Sequence, residues 1–341
     1  MTDKNNCITG TYPISRDESG AIKGLVILLI VIGHCKGIVE NPKNIYFWLY
    51  SFHVQQFFIL PWLYPFKNKS TKDVFITSAI RMVIPYVIFY TFSYFVFNLV
   101  MSSGGEKPDF FNAFFSVDAD KIGKTVGIQA IWFLPVFFVY TIVIHYIRKY
   151  SKYSLIVLMI MILAYIINKY TLITDGTEIN GWIKKLSLCI SCSIITCYVL
   201  KLNRSFVFSV ALIIFTTLTI ILFIDYDFVK EHLRFLTIIS AFIIIYYCRK
   251  FLAKSKLLIA LGKYSLPIYL IHIYVVKFCE LRWGTESVGR GIATFYIAVL
   301  SAWILSVIIY KIKLLRKLIF PNSVDDIKSL FCRNKENNIK K

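Results

Sequence analysis

The stretch Lys23-Gly24-Leu25-Val26-Ile27-Leu28-Leu29-Ile30-Val31-Ile32-Gly33-His34 decides the fold class. It sits inside an apolar run, 21–39, long enough as a helix to cross a hydrocarbon layer about 30 Å thick. The run carries Lys23, His34 and Lys36 and lacks a small-residue cleavage site after it, so a retained span is expected rather than a cleaved leader. Similar runs recur along all 341 residues: 45–66, 74–100, 128–147, 154–174, 182–200, 205–224, 235–248, 257–279 and 291–310. Hydrophobic residues make up 57% and charged residues only 17% of the chain, and the mean hydropathy is +0.65. That composition excludes a soluble enzyme, a disulfide-stapled secreted domain and a disordered chain. The expectation is an all-α polytopic membrane protein with ten transmembrane helices. Its segments would be a cytoplasmic 1–20, a membrane domain 21–310 and a basic cytoplasmic tail 311–341.

The net charge of +20 tests the orientation. With the N-terminus inside, and with Lys36, Lys169, Lys184 and Lys185 near the outer span ends assigned to the outer segments, the inner segments hold 23 Lys+Arg against 7 Asp+Glu, and the outer segments hold 12 of each. Basic residues gather on the cytoplasmic side of membrane proteins, so N-in and C-in is expected, in keeping with an even number of spans. The excess of bases thus needs no nucleic acid, and the tail Lys311–Lys341 would lie against anionic lipid. The eight cysteines form no framework. Cys189 and Cys192 have metal-like spacing but no second pair or histidine near them in sequence, so packing is expected and no metal.

Four bases remain within the spans: Lys23, Arg81, Lys263 and Lys277. Charge in hydrocarbon is costly, which makes each a functional candidate. Lys23 and His34 are eleven residues apart, about three helical turns, so they share one face about 16 Å apart. From the helical rise, His34, His53 and His272 fall roughly 18–23 Å from the inner face, and Arg81 and Lys263 roughly 10 Å from it. Cations thus line the inner half and imidazoles the outer half. If these helices meet, the first layer suits a phosphorylated cytosolic ligand and the second acid–base chemistry. The plain alternatives are snorkelling for Lys23 and helix contact for the histidines. His145 and His232, at span ends, are read as structural.

Several of these residues lie in motifs. Arg16-Asp17, Ile22-Lys23-Gly24 and Val31-Ile32-Gly33-His34 are followed by Phe52-His53-Val54-Gln55-Gln56-Phe57-Phe58 and Arg81-Met82-Val83-Ile84-Pro85-Tyr86. Ile131-Trp132-Phe133-Leu134-Pro135 comes next, then Leu261-Gly262-Lys263-Tyr264-Ser265-Leu266-Pro267-Ile268-Tyr269-Leu270-Ile271-His272. In this order the chain resembles the membrane-bound acyltransferase-3 family over about 15–310, most closely its fucose 4-O-acetylase-like branch. Gly20, Gln55, Ser78 and Ile59-Leu60-Pro61-Trp62 depart from the pattern; Gln55 stands where a Pro is frequent.

The resemblance implies transfer of an acetyl group from cytosolic acetyl-CoA, a co-substrate, to a sugar hydroxyl of an envelope glycan such as O-antigen or capsule, in a bacterial cytoplasmic membrane. It places Lys23, Arg81 and Lys263 on the donor phosphates. His34 would be general base or transient acyl carrier, with His53 or His272 orienting it or binding the acceptor. The chain ends about 30 residues past its last span, so this chemistry is expected of the membrane domain alone.

The outer segment 101–127 contains Gly104-Gly105-Glu106, Asp109, paired phenylalanines and Asp118. With Trp132, its aspartates are acceptor-binding candidates; the alternative is an interfacial segment with Phe in the headgroups. Glu280, Arg282, Trp283 and Glu286 form a second outer polar cluster. A flippase or transporter of lipid-linked sugars is the competing class, since intramembrane charge also marks transport paths. A glycan polymerase is the third, although it would favour a larger outer loop.

Overall fold

The computed structural model describes residues 14–40, 44–101, 108–170, 177–225, 228–229 and 233–336. His232 and the Gly104–Glu106 stretch lie outside them. Among the described residues the backbone is helical, without strands. The α-helices are α1 (Arg16–His34), α2 (Lys36–Val39), α3 (Asn44–Tyr50), α4 (Gln56–Ile59), α5 (Thr71–Ser78), α6 (Ile84–Met101), α7 (Ala119–Val126), α8 (Phe133–Lys149) and α9 (Ser154–Tyr170). They continue with α10 (Glu178–Val199), α11 (Arg204–Ile224), α12 (Arg234–Tyr247), α13 (Arg249–Leu252), α14 (Lys256–Lys263), α15 (Ser265–Trp283), α16 (Val288–Lys311), α17 (Lys313–Ile319) and α18 (Val324–Glu336).

Among the described residues, six helical segments are long and apolar enough to cross a membrane: Thr71–Leu99, Gln129–Lys149, Ser151–Lys169, Glu178–Val199, Arg204–Ile224 and Val288–Lys311. A seventh is α14 with α15, bent by 86° between them. On α9, Leu155, Ile156, Met159, Ile160, Leu163, Ile166 and Ile167 are all exposed, an apolar face fit for lipid and too large for water.

The three other expected spans take different forms. α1 has the length, 19 residues, but carries Asp17, Glu18 and Lys23. Run 45–66 is not one helix, which corrects the expected second span. α3 ends at Tyr50, a turn covers residues 51–55, and α4 passes into a 3-10 turn, Leu60–Leu63, with Pro61 at its start. Apolar composition alone does not reveal such a break. α12 has 14 residues, about 21 Å of rise. The bend in the expected ninth span has a local cause: Pro267 has no N–H for the carbonyl of Lys263, and its ring crowds that carbonyl, so the helix yields at Tyr264.

The chain divides into two compact units. The first comprises residues 1–66, 150–163 and 187–306. Its organising helix is α1, started by a capping box in which the Glu18 amide donates to Ser15 Oγ at 3.1 Å and the Ser15 amide to Glu18 Oε2 at 2.8 Å. α1 crosses α14 with backbones touching: a Cβ on Gly24 would lie 2.0 Å from the Leu258 carbonyl oxygen, and one on Gly262 would lie 1.8 Å from that of Gly20. Small residues permit this approach, as is common between membrane helices. A second close approach follows His34, where Gly37 abuts Ser287 and Gly291. α15 is buried along Pro267–Ile273, with His272 at its centre.

The second unit comprises residues 67–149, 164–186 and 307–341. A π-helical stretch, Ala79–Val83, joins α5 to α6. Pro85 explains it: the proline cannot bond the carbonyl of Arg81 four residues back, and the turn widens. One face of α6 carries Tyr86, Tyr90 and Tyr94. Tyr86 donates to the Phe114 carbonyl, and Tyr90 and Tyr94 to those of Phe110 and Pro108 at 2.8 and 2.9 Å. These bonds hold the described part of the outer segment on α6. α17 and α18 form a hairpin closed by Arg316 and Asp326, whose nitrogens and oxygens meet at 3.0 and 2.8 Å. The buried Phe320 packs on Phe89 and Tyr310.

Candidate active site

The first unit brings the three spans' histidines together. His34 ends α1, His53 lies in the turn after α3, and His272 lies two turns into α15. The His34 and His272 ring centroids are 5.2 Å apart. Tyr50 joins the third: its hydroxyl is 3.4 Å from His34 Nδ1, and its ring meets that of His53 edge-on at 4.7 Å. Tyr46 stacks on Tyr50 at 4.1 Å. Gly33 makes room for this group, since a Cβ there would touch Tyr50 at 3.3 Å and His53 Nε2 at 3.8 Å.

Their environments differ. His53 and His272 are buried, at 1% and 0% exposure, whereas His34 is only half buried. His53 Nδ1 faces the Leu49 carbonyl, and His272 Nδ1 the Ile268 carbonyl at 3.0 Å. A carbonyl only accepts, so both Nδ1 atoms carry the proton and both Nε2 atoms keep a lone pair. Those Nε2 atoms are buried without a hydrogen-bond partner. Two fixed imidazoles thus flank one that reaches solvent, an arrangement able to move a proton or carry an acyl group. Among the described residues no group of His, Cys, Asp or Glu is arranged to hold a metal ion, and Cys189, Cys192 and Cys197 are buried and form no disulfide.

Two predicted cations lie in the same unit, one residue from the α1–α14 crossing. Lys23 is half buried, its Nζ 5.7 Å from the Tyr64 ring centroid, and Tyr64 also hydrogen-bonds Ser19. Lys263 is exposed at the bend, 5.4 Å from the Tyr264 ring. Arg81 belongs to the second unit, where it is exposed and its Nε donates to the Asn322 carbonyl at 3.2 Å.

The remaining candidates are also in the second unit. Asp109 caps a 3-10 turn through the Phe111 amide at 3.3 Å, and Asp118 caps α7 through the Asp120 amide at 2.9 Å. Both residues are exposed. Phe110 is tucked against Tyr90 and Tyr94, while Phe111 and Phe115 point outward. Lys185 Nζ sits 3.8 Å over the Trp132 ring. His145 is buried in α8.

Sequence reading missed Tyr50 and Arg234. Tyr50 lies three residues before His53, a spacing that places both on one helical face. Arg234 opens α12 and lies just before the expected span 235–248, where it carries no functional signal in the sequence. Gln55, one of the departures from the family pattern, contacts it: with the amide oriented by its neighbours, the Gln55 oxygen accepts from an Arg234 Nη at 3.0 Å and its nitrogen donates to the Phe52 carbonyl at 3.1 Å.

Comparison with known families matches a model described as an acyltransferase domain, Acyl_transf_3, to residues 18–311. No curated protein and no solved structure matches the chain.

Proposed function

The chain belongs to the acyltransferase-3 family, whose domain covers residues 18–311, and on that premise we propose that it is an O-acetyltransferase acting on a cell-envelope glycan. The family makes it a membrane acyltransferase. The donor, the acceptor and the role of each residue are our reading, which includes the fucose 4-O-acetylase-like branch, ten spans with both termini inside, and the bacterial cytoplasmic membrane. The observation that carries the reading is the convergence of His34 with His272, Tyr50 and His53, at the C-terminal end of the helix that carries Lys23.

In this reading acetyl-CoA enters from the cytoplasm, and Lys23 and Lys263 of the first unit bind its phosphates through charge-assisted contacts; Arg81 of the second unit keeps its own assignment to the donor phosphates. His34 Nδ1–H points to the Tyr50 oxygen, leaving Nε2 as base. Nε2 takes the proton of the sugar hydroxyl as its oxygen attacks the thioester carbonyl. The tetrahedral adduct then expels the CoA thiolate, which takes the proton from the imidazolium, leaving an acetyl ester and CoA thiol. In the two-step form, Nε2 attacks the thioester and the C–S bond breaks to release CoA thiolate; the sugar hydroxyl then attacks the acetyl-imidazole, the acetyl–nitrogen bond breaks, and the hydroxyl proton passes to the freed imidazole and on to the thiolate, leaving an acetyl ester and CoA thiol. His53 and His272 hold His34 in place and offer their Nε2 atoms to the acceptor. Trp132, Asp109 and Asp118 keep an assignment to acceptor contact in the outer segment.

The test uses membranes containing the full chain, acetyl-labelled acetyl-CoA and a lipid-linked glycan. Covalent label in the glycan is the expected result. Translocation of the glycan without label would overturn the reading in favour of a flippase. Mass spectrometry of the envelope polysaccharide with and without the protein should show a difference of one acetyl group per modified repeat, and NMR would place the hydroxyl.

A further inference from the structure

The turn that carries His53 continues into Gln55 and Gln56, and both glutamines engage the start of α12. Gln56 Nε2 donates to the Phe52 carbonyl at 2.9 Å and reaches the Ile238 carbonyl, one turn into α12, at 3.4 Å. The Gln55 oxygen accepts from Arg234, the first residue of that helix. Gln55 and Gln56 are 6% and 1% exposed, so this contact lies inside the first unit.

Arg234 is oddly placed for a structural cation. It is the first residue of α12, directly after the π-helical Leu233. The ion pairs formed among the described residues, Lys121–Glu178, Arg249–Glu18 and Arg316–Asp326, do not include Arg234. Its partner is a neutral amide, and its Nε is buried without a hydrogen bond. A guanidinium that leaves a donor buried and unpaired costs stability. Two more buried atoms beside this contact lack partners, Gln56 Oε1 and His53 Nε2.

We propose that Arg234, held by Gln55, is a binding subsite for an anionic group, a carboxylate or phosphate, of the acceptor whose hydroxyl reaches the histidines. The paired oxygens of a carboxylate or phosphate complete the guanidinium's donor set and neutralise its charge. An acidic sugar residue and the phosphate of a lipid-linked sugar share this chemistry. The word "acceptor" rests on the acyl-transfer reading; anion binding by Arg234 does not.

The experiment uses the full chain in lipid nanodiscs with three probes: methyl glucuronide, glucose 1-phosphate and neutral methyl glucoside. Binding is measured without acetyl-CoA, and acetyl transfer separately. Wild type should bind one anionic probe about tenfold or more tighter than the neutral one, as expected of a charge-assisted contact. Arg234→Gln should remove that preference while leaving methyl glucoside binding unchanged, and Arg234→Lys should restore part of it. Preference for the glucuronide identifies an acidic glycan residue, and preference for the phosphate a lipid-linked sugar. Equal binding of all three by wild type, or an undiminished preference in Arg234→Gln, overturns the proposal. Should Arg234→Gln fail to fold, Gln55→Ala and the wild-type preference decide. Anion preference without acetyl transfer would sink the acyl-transfer reading and keep the subsite; transfer without preference would do the reverse.

Discussion

Replacing Gly24 with Ala perturbs the helix crossing beside the candidate site without touching a candidate residue. The new Cβ would lie 2.0 Å from the Leu258 carbonyl oxygen, and real Cβ atoms essentially never approach closer than 3.0 Å. α1 and α14 must therefore part by about 1 Å. Neither contacting atom can swing away, because both belong to helix backbone. Overpacking of this kind costs about 1–3 kcal/mol, against a gain of about 0.5–1 kcal/mol for Ala over Gly in a helix. The net loss of stability is modest, about 0–2.5 kcal/mol. Activity should suffer more. α14 leads through the bend into α15, so parting the helices shifts His272 against His34 and Lys263 against Lys23, and a displacement of about 1 Å can cost about a hundredfold in rate. Gly20→Ala is the control on the same helix, because its Cβ would meet Ile259 at an ordinary 3.5 Å. Acetyl transfer and thermal unfolding of both variants in nanodiscs provide the assay. Equal activity of Gly24→Ala and Gly20→Ala would refute the claim that this crossing sets the site.

Other predictions address other links. His272→Ala should lower acetyl transfer about tenfold or more through loss of His34 orientation, with less effect on acetyl-CoA binding, as read from the kcat and KM split. Asp118→Asn keeps the α7 cap, since Asn caps as well as Asp; unchanged stability with weaker use of the glycan would support acceptor contact, and unchanged kinetics would assign Asp118 to capping alone. At the tail, the bond from Arg316 holds the Asp326 carboxyl below the usual carboxylate range. The stabilisation is therefore fully present above that range and lost as the pH falls through the depressed native value. Limited proteolysis should find the α17–α18 hairpin protected at neutral pH and opened in acid, and Asp326→Ala should open it at neutral pH.

Much of the membrane domain was legible from hydropathy, because length and apolar content are what a bilayer demands. The face shared by Lys23 and His34 was legible from helical geometry, whereas the depth expected for His53 and His272 assumed straight spans, which the structure breaks at residues 51–55 and bends at Tyr264. Three features were not legible. The 45–66 run is apolar throughout, so no periodicity marks where α3 yields to the turn that carries His53. The bend at Tyr264 depends on Pro267, and a proline within a membrane helix does not announce its angle. Arg234 carried no signal in the sequence because its meaning depends on Gln55, a contact between segments about 180 residues apart. The meeting of the histidines is likewise a matter of packing, set by glycines at 24, 33, 37 and 262 whose close contacts only the fold displays.

The most direct test of the account is acetyl transfer by His34→Ala. The full-length variant, expressed at wild-type level and unfolding at a comparable temperature, is given labelled acetyl-CoA and its glycan acceptor. Loss of the general base or acyl carrier predicts a fall of at least about a hundredfold in acetyl incorporation, with acetyl-CoA binding retained. Near-normal incorporation by the folded variant would contradict the assignment of His34 and the reaction built around it.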